Sequence, residues 1–393
     1  MKREKKQFKY QLIHDALAAK IAAGLLEQLP SEENLCREFD AGRNIVRQAL
    51  QMLSEEGYII KGRGKRTQIC HRKFADPIRE AKLVLLQRHD YLGESNNPVY
   101  AGIVSRLLEI AAQKGCHPEM LYLPEAGNPG YARFVVRQLR EADGIFLTSL
   151  RPREPVPEIE EILLAHPRTI CVDNAVGTLG KYHVGTDNYA GGLLAAGLVA
   201  GAGCKRPLIY SCGDSFETYS PMLERCIGFR DGCQIHLGGF DRKEQLVVDE
   251  VFPEYHVIFE RMKRLLSEKD FDAVFVLSDL AAAHVVRALR ALGRSVPGEI
   301  SVIGFDGIAQ HGVFKDLTSI RQNIEAVSEQ SFSLMEKLLR NEIVTGNISL
   351  SAPSLKEGGT LILRDTAVAG SFLSGAAQSR GKSPHSTGAG TAG

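Results

Sequence analysis

Four side chains that can contact nucleic acid lie close together early in this chain. Arg43, Asn44, Arg47 and Gln48 fall near the start of a stretch whose apolar residues recur at helical spacing. Arginine can donate to guanine edges or to phosphate, and asparagine and glutamine can pair with adenine. This spacing predicts a helix whose N-terminal end enters a DNA groove.

A basic, glycine-rich turn follows this helix. The runs 58–61 and 66–69 read as two strands, and the glycines between them predict a tight hairpin tip. The candidate phosphate contacts at this tip are Arg63, Gly64, Lys65 and Arg66. Ahead of the helix, Ser31 is expected to cap a shorter helix, and it joins the candidate DNA contacts.

Charge is unevenly distributed along the 393 residues. Residues 1–82 hold 17 Lys and Arg against 11 Asp and Glu, although the net charge of the whole chain is only +1. A basic segment ahead of a mildly acidic remainder indicates that the first segment alone meets a polyanion. We call residues 1–75 the head and predict a small domain there, with two short helices joined by a turn and a basic hairpin after them. The polar segment 76–82 is expected to be a linker.

In the body, which we define as residues 83–365, short apolar runs alternate with helical stretches. The predicted strands are 83–86, 120–123, 144–147, 169–172, 207–210, 246–248, 273–277 and 301–305, and the predicted helices lie near 99–114, 130–141, 158–165, 190–202, 221–234, 254–268 and 280–292. Such alternation predicts parallel α/β sheets covered by helices on both faces, in two lobes. The Gly-, Ala- and Ser-rich tail, 366–393, is expected to be disordered.

The expected ligand site is a cleft between the two lobes, because ligands of such sheets bind at the carboxyl ends of the strands. Asp173 follows a predicted strand and could accept hydrogen bonds from ligand hydroxyl groups, although a helix cap or a turn is nearly as plausible. Tyr91, Tyr219 and Phe252 fall in loops after strands and could stack on a sugar face, with a core or rim position as the alternative.

The head resembles the winged helix-turn-helix of GntR-type regulators. Residues 29–35 follow the pattern L-P-S-E-x-x-L, and residues 43–57 follow R-x-x-V-R-x-A-L-x-x-L-x-x-E-G. The resemblance implies that Arg43 and Arg47 contact DNA. The chain departs from the pattern at Glu33, where many members have Arg, at Gly42, where Ser or Thr is usual, and at Lys65-Arg66, which separates Gly64 from Thr67.

The body resembles the effector domain of LacI/GalR regulators and their periplasmic sugar-binding relatives. The matching strings are VGTDNYAGG at 184–192, RCIGF at 225–229, VPGEISVIGFD at 296–306, LTSIRQ at 317–322 and LILR at 361–364. The resemblance implies that Arg225 and Asp306 face each other across the cleft and bind effector hydroxyl groups, with an interlobe salt bridge as the alternative. It also adds Ser278 and Asp279 to the candidate effector contacts. Asp187 is expected to cap a helix.

Motifs of common enzyme classes are missing from the sequence. It contains no P-loop, no G-x-S-x-G and no H-E-x-x-H, and its 11 histidines show no metal-ligand spacing. The eight cysteines form no C-x-x-C pair, so reduced, buried thiols are expected. No stretch has the apolar length of a membrane span, and the N-terminus does not read as a signal peptide, so a cytoplasmic location is expected.

These patterns together predict a non-enzymatic, homodimeric transcription regulator without a cofactor. Double-stranded operator DNA would bind the head, and a sugar-like effector would bind between the lobes and control operator affinity, most simply as a repressor. The alternatives are a purine or nucleoside effector, ligand-assisted DNA binding and, more remotely, a sugar-binding protein or hydrolase without DNA function.

Overall fold

The computed structural model describes residues 9–22, 25–26, 28–60, 67–69, 77–87, 98–124, 128–148, 156–173, 180–212, 220–249, 254–309 and 312–364. The chain divides into two compact units between Glu80 and Ala81, inside the segment predicted to be a linker. Part of that segment is a short helix, Pro77–Glu80, whose Ile78 is buried. The predicted tail lies outside the described residues.

The head consists of three helices and a small antiparallel sheet. The elements are α1 (Lys9–Ala22), α2 (Glu32–Glu38), α3 (Arg43–Glu55), β1 (Ile59–Ile60) and β2 (Gln68–Ile69). Apolar residues from α1, α2, α3 and β1 form one core, in which Leu17, Leu35 and Leu53 are almost fully buried. The helix-turn-helix and the strands after it confirm the predicted fold of the head.

Two six-stranded sheets form the body. Helix α4 (Pro77–Glu80) lies just ahead of the body. The helices of the body are α5 (Pro98–Lys114), α6 (Pro129–Glu141), α7 (Pro157–Ala165), α8 (Asn188–Gly201), α9 (Ser220–Leu237), α10 (Arg242–Gln245), α11 (Tyr255–Glu268), α12 (Asp279–Ala291), α13 (Val313–Asp316) and α14 (Ile324–Leu339). Its strands are β3 (Leu83–Gln87), β4 (Glu119–Tyr122), β5 (Gly144–Thr148), β6 (Thr169–Val172), β7 (Tyr182–Thr186), β8 (Pro207–Cys212), β9 (Leu246–Asp249), β10 (Ala273–Val276), β11 (Ser301–Asp306), β12 (Thr318–Arg321), β13 (Ile348–Ser351) and β14 (Ser354–Lys356).

The sheets are parallel apart from one edge. The first has the order β13-β7-β6-β5-β3-β4 and the second the order β14-β12-β11-β10-β8-β9, and only β14 pairs antiparallel, with β12. The first sheet packs against α6 and α7 on one face and against α14 on the other, where Phe146 stacks on Phe332. In the second sheet, α8 and α9 cover one face and α11 and α12 the other. These layers confirm the predicted α/β class.

Three chain crossings connect the lobes. The chain passes from the first lobe to the second between β7 and α8, returns between β12 and α14, and passes again to the second lobe between β13 and β14. The first lobe is therefore residues 83–187 and 323–351, and the second is residues 188–322 and 352–364. The prediction of two lobes in succession missed β7, β12, β13, β14 and α14, which are the elements that flank these crossings.

Cysteines in the described residues are free thiols, and most are buried. Burial raises the pKa of Cys171 to about 12, so this thiol stays protonated at neutral pH. Cys70 lies outside the described residues. Among the described helices, none is long and apolar enough to cross a bilayer.

Candidate functional site

The four candidate DNA contacts of α3 are all exposed at its N-terminal half. Arg43, Asn44, Arg47 and Gln48 project away from the face that buries Val46 and Ala49 in the core of the head. A groove-binding helix needs this division, because the buried side fixes its position and the exposed side carries donors. The structure therefore brings these four residues together as predicted, while DNA contact itself stays a prediction.

Ser31 caps α2, since its Oγ accepts a hydrogen bond from the backbone N–H of Asn34 at 3.2 Å. At the start of α3, Gly42 is the N-cap and offers no side-chain hydrogen bond. A Cβ at Gly42 would meet nothing within 4 Å, so a serine or threonine would fit there. The departure at this position therefore leaves the N-terminal N–H groups of α3 without a side-chain cap.

Arg47 forms an ion pair inside the head. Its Nε donates to Oε2 of Glu32 at 3.0 Å, and the two side chains are 62% and 42% exposed. Exposed pairs of this kind contribute little to stability, so the guanidinium can exchange this partner for another anion at small cost. Glu33, the departure next to Glu32, pairs with Arg37 at 3.7 Å within α2. The wing residues Arg63, Gly64, Lys65 and Arg66 lie outside the described residues.

A group of buried charges lies where strands of the two sheets end. Asp173 directly follows β6 in the first lobe, Asp306 ends β11 in the second, and Arg225 comes from α9. All three are at least 95% buried. Burial raises the pKa of Asp173 to about 6, which Arg225 opposes and Asp306 reinforces, so these three charges act on one another.

The guanidinium of Arg225 is held on several sides. Its Nε donates to Oδ1 of Asn188 at 2.9 Å, its Nη1 donates to the carbonyl of Leu277 at 2.6 Å, and its plane lies 3.7 Å from the ring centre of Phe305. Nη1 also lies 3.6 Å from Oδ1 of Asp306. Arg225 is therefore a fixed donor group rather than a mobile one.

The predicted placement of Arg225 and Asp306 across the cleft is wrong. Both belong to the second lobe, because α9 packs on the sheet that contains β11. Among the described residues, the carboxylate that the first lobe contributes is Asp173. The charge pair is thus an intralobe contact, and Asp173 interacts with it from the other lobe.

One acceptor of this cluster has spare hydrogen-bonding capacity. Oδ2 of Asp306 is buried without a hydrogen-bond partner among the described residues. Burial raises the pKa of Asp306, and this shift is opposed by Arg225 and by a hydrogen bond from Gln322. Both Asp173 and Asp306 have positive φ angles, +67° and +124°, which non-glycine residues adopt at some cost. A ligand that brings hydroxyl or ammonium donors would satisfy these carboxylates.

Asp279 and Ser278 both form hydrogen bonds inside the second lobe, and their contact with an effector stays a prediction. Both oxygens of Asp279 are engaged inside the second lobe, by the hydroxyl of Ser319 at 2.6 Å and the backbone N–H of Ile308 at 2.7 Å. Burial and the nearby Asp306 raise its pKa to about 8. Ser278 caps α12 by accepting from the N–H of Ala281 at 3.4 Å.

Three further polar residues, which lie behind the site, were not predicted. Thr186, Asn188 and Gln322 are buried beside Asp306 and Arg225, and Gln322 donates to Oδ1 of Asp306 at 2.9 Å. The signal was present, since all three occur in the strings that resemble the LacI/GalR pattern. The predicted cap is confirmed, because Asp187 accepts from the N–H of Ala190 at 2.8 Å. Tyr91, Tyr219 and Phe252 lie outside the described residues.

Comparison with known families agrees with this division into head and body. Residues 9–69 match the family of bacterial regulatory proteins described as the gntR family. Residues 198–361 match the periplasmic binding protein-like domain. The head thus contains a segment similar to the gntR family, and the body contains a segment similar to the periplasmic binding protein-like domain. The match to the body begins within α8, covers most of the second lobe together with α14 and β13 of the first, and includes Arg225 and Asp306.

Curated relatives of this chain include an operon repressor and a transcriptional regulator. The ribose operon repressor of Lactococcus lactis subsp. lactis (strain IL1403) is 24% identical over 45% of this chain and 52% of its own length. The HTH-type transcriptional regulator CelR of Thermobifida fusca is 26% identical over 68% of this chain and 79% of its own length. The chain thus spans about half the length of the first relative.

The body has the fold of solved regulators. A transcriptional regulator CelR–cellobiose complex superposes with a TM-score of 0.59 at 20% identity, over 84% of this chain and 100% of the other. At this identity the likeness concerns the fold alone. It agrees with the two-lobed arrangement of sheets described above.

Proposed function

We propose that this chain is a transcriptional repressor that binds operator DNA through its head and a sugar-like effector through the cleft of its body. The observation that carries the proposal is the pair of buried carboxylates Asp173 and Asp306 beside Arg225, of which Asp306 has an oxygen without a hydrogen-bond partner among the described residues, in a chain whose head matches the gntR family. The protein binds both partners and transforms neither. Contact with the genome places it in the cytoplasm.

A sugar or related polyol suits this cleft better than an apolar ligand does. Buried carboxylates that lack donors cost free energy, and each hydroxyl of a sugar can donate to one of them while accepting from Arg225. The ribose and cellobiose terms in the names of the relatives support the same ligand class. A purine or nucleoside, with ribose hydroxyls and ring N–H donors, is the second candidate.

A homodimer is part of the proposal. One short recognition helix reads few base pairs, so a single head would discriminate weakly among sites. Two-fold pairing of the chain would double the contacts on a palindromic operator. Effector binding would then change operator affinity by favouring one arrangement of the two lobes.

Arg47→Ala tests the DNA half. We expect operator affinity to fall by about tenfold or more and the salt dependence to become shallower by about one phosphate contact, because a groove-facing cation is lost. Arg140→Ala is the matched control, since Arg140 is also exposed and paired with a carboxylate, Glu158 at 2.8 Å, but lies in the body. Fluorescence anisotropy over a salt series, with DNA from upstream of the gene, measures both quantities. Equal affinities for the two variants would refute the DNA contact of Arg47.

Asp173→Asn tests the effector half. A sugar that binds only the folded chain raises its melting temperature, so thermal shifts with ribose, cellobiose and adenosine distinguish the ligand classes. We expect the shift of the effective sugar to disappear in Asp173→Asn, because the neutral amide accepts more weakly and points an N–H₂ group at the ligand. Asp231→Asn, on the outer part of α9, is the control. An unchanged shift in Asp173→Asn would remove this residue from the pocket.

A further inference from the structure

Five buried residues, of which Asp306 is one, form a closed ring of contacts. The hydroxyl of Thr186 donates to Oε1 of Gln322 at 2.8 Å, and Nε2 of Gln322 donates to Oδ1 of Asp306 at 2.9 Å. Arg225 lies 3.6 Å from the same oxygen and donates to Asn188 at 2.9 Å. Nδ2 of Asn188 closes the ring by donating to the carbonyl of Thr186 at 3.0 Å.

The ring includes two of the three lobe crossings. Thr186 is the last residue of β7 in the first lobe, and Asn188 begins α8 in the second. Gln322 directly follows β12, where the chain returns to the first lobe. The Thr186–Gln322 hydrogen bond therefore joins one lobe to the other at the point where two chain segments cross between them.

Chemistry gives the ring a direction. A carboxylate only accepts, so Asp306 obliges Gln322 to turn its N–H₂ group inward. The carbonyl of Gln322 then faces Thr186, which must donate its hydroxyl proton to it. A change at Asp306, such as the arrival of a ligand donor, thus reaches the lobe crossing through two hydrogen bonds. The donor and the acceptor of each bond cannot exchange roles. All five side chains are at least 95% buried, so water does not easily replace any of these bonds.

We propose that Thr186 and Gln322 are positioning residues that transmit occupancy of the Asp306–Arg225 site to the two lobe crossings. Neither residue is assigned a contact with the effector. That an effector occupies this site rests on the proposed function. The hydrogen-bonded link from the site to the crossings can be tested without any effector. It predicts that breaking the Thr186 bond loosens the crossings and uncouples them from the pocket.

Thr186→Val and Thr186→Ser form a matched pair for this test. Valine keeps the branched shape and removes the donor, whereas serine removes a methyl group and keeps the donor. The reporters are the N–H of Asp187, which donates to the carbonyl of Ser351 at 2.9 Å, and the N–H of Gln322, which donates to the carbonyl of Asp306 at 3.3 Å. Hydrogen exchange of the full-length chain is followed at both crossings and at β10, an internal reference.

Without added ligand, we expect Thr186→Val to speed exchange at both crossings by about tenfold, which is the effect of one lost buried hydrogen bond. Thr186→Ser should stay within about twofold of the wild type, and β10 should exchange alike in all three proteins. Wild-type exchange at the crossings in Thr186→Val would overturn the proposal. So would equally fast exchange in Thr186→Ser, because the donor would then be irrelevant.

A second arm uses ribose and cellobiose as probes. The sugar that raises the melting temperature should slow hydrogen exchange at the crossings in the wild type and in Thr186→Ser. In Thr186→Val, the thermal shift should remain, but this slowing of exchange should be about tenfold smaller. Loss of the thermal shift itself in Thr186→Val would make Thr186 a pocket residue and overturn its positioning role. If neither sugar shifts any of the proteins, the sugar assignment fails, and the exchange without ligand still decides the ring.

Discussion

Replacing Arg225 by methionine is expected to lower the free energy of unfolding at neutral pH by about 3–5 kcal/mol, the usual cost of leaving buried charges without their partner. Asp306 and Asp173 lose the cation that opposes the rise of their pKa values. The carbonyl of Leu277 and the amide of Asn188 lose their donors at the same time. Methionine fills part of the volume, so the loss is mainly electrostatic.

The pH dependence of this loss has a definite sign. In the folded protein, burial raises the pKa of Asp306, and it raises that of Asp173 to about 6. Removing Arg225 raises both further, so the ionised carboxylates destabilise the variant above these values. Below the unfolded-state pKa of about 3.9, both carboxylates are protonated in the folded and in the unfolded chain. The penalty from their negative charges then vanishes. The deficit of Arg225→Met should therefore shrink as the pH falls from about 8 to about 4.

Urea unfolding at a series of pH values measures this deficit. Arg230→Met is the control, because Arg230 lies on the same helix, is 52% exposed and pairs with Asp231. Its expected effect is within about 0.5 kcal/mol. A pH-independent deficit in Arg225→Met, or one no larger than that of Arg230→Met, would show that Asp173 and Asp306 do not depend on this guanidinium.

Gly228→Ala is expected to destabilise the body by about 3 kcal/mol or more, at or beyond the upper end for overpacking. Helices α8 and α9 approach each other closely at this glycine. A Cβ at Gly228 would overlap the carbonyl oxygen of Tyr189 and lie 2.9 Å from its carbon. Both neighbours are backbone atoms, so no side chain can move aside, and the helices must separate. Separation would also displace Arg225, one turn earlier on α9.

The matched control for Gly228 is Gly239→Ala. A Cβ at Gly239 would meet nothing within 4 Å, and this residue follows the same helix. Urea unfolding and thermal melting compare the two variants. Similar midpoints would mean that α8 and α9 can part without cost, which contradicts the close crossing described here.

The glycine crossing explains physically why the strings in the sequence have their form. Gly192 of α8 meets the backbone of Arg225 and Phe229, where a Cβ would lie 2.6 Å from the nitrogen of Phe229. Gly192, the last glycine of VGTDNYAGG, and Gly228 of RCIGF are thus the two sides of one contact. The sequence alone predicted both helices, but their contact could not be derived from spacing, because it depends on how two helices cross.

The parts of the fold that could not be predicted are those with non-local partners. Strand β5 was predicted from its own apolar run, whereas β7 contains Gly185 and polar residues and pairs with β13, much later in the chain. Strand β13 is exposed along most of its length, so burial leaves little trace in its sequence. Helix α14 has a readable helical period, but alternation of strands and helices does not reveal that it returns to the first lobe.

The candidate site shows the same limit. Asp173 was recognisable because it follows a predicted strand, and Asp306 because it lies in a string that resembles the LacI/GalR pattern. The string around Ser278 and Asp279 could not reveal that one residue caps a helix and that the other is occupied by Ser319 and Ile308. The ring residues Thr186 and Gln322 depend on contact between distant crossings, which only the folded chain shows.

The discontinuous first lobe has a consequence for synthesis of the protein on the ribosome. Strand β13 is the edge of the first sheet, and α14 covers one face of that sheet, yet both are made after almost the whole second lobe. The early strands β3–β7 therefore form an incomplete sheet that lacks its edge strand β13 and the cover of α14 until these late elements are made. Domains usually fold as units during translation. Here neither lobe can finish independently, so we expect the body to reach its native state only after residue 351 has left the exit tunnel.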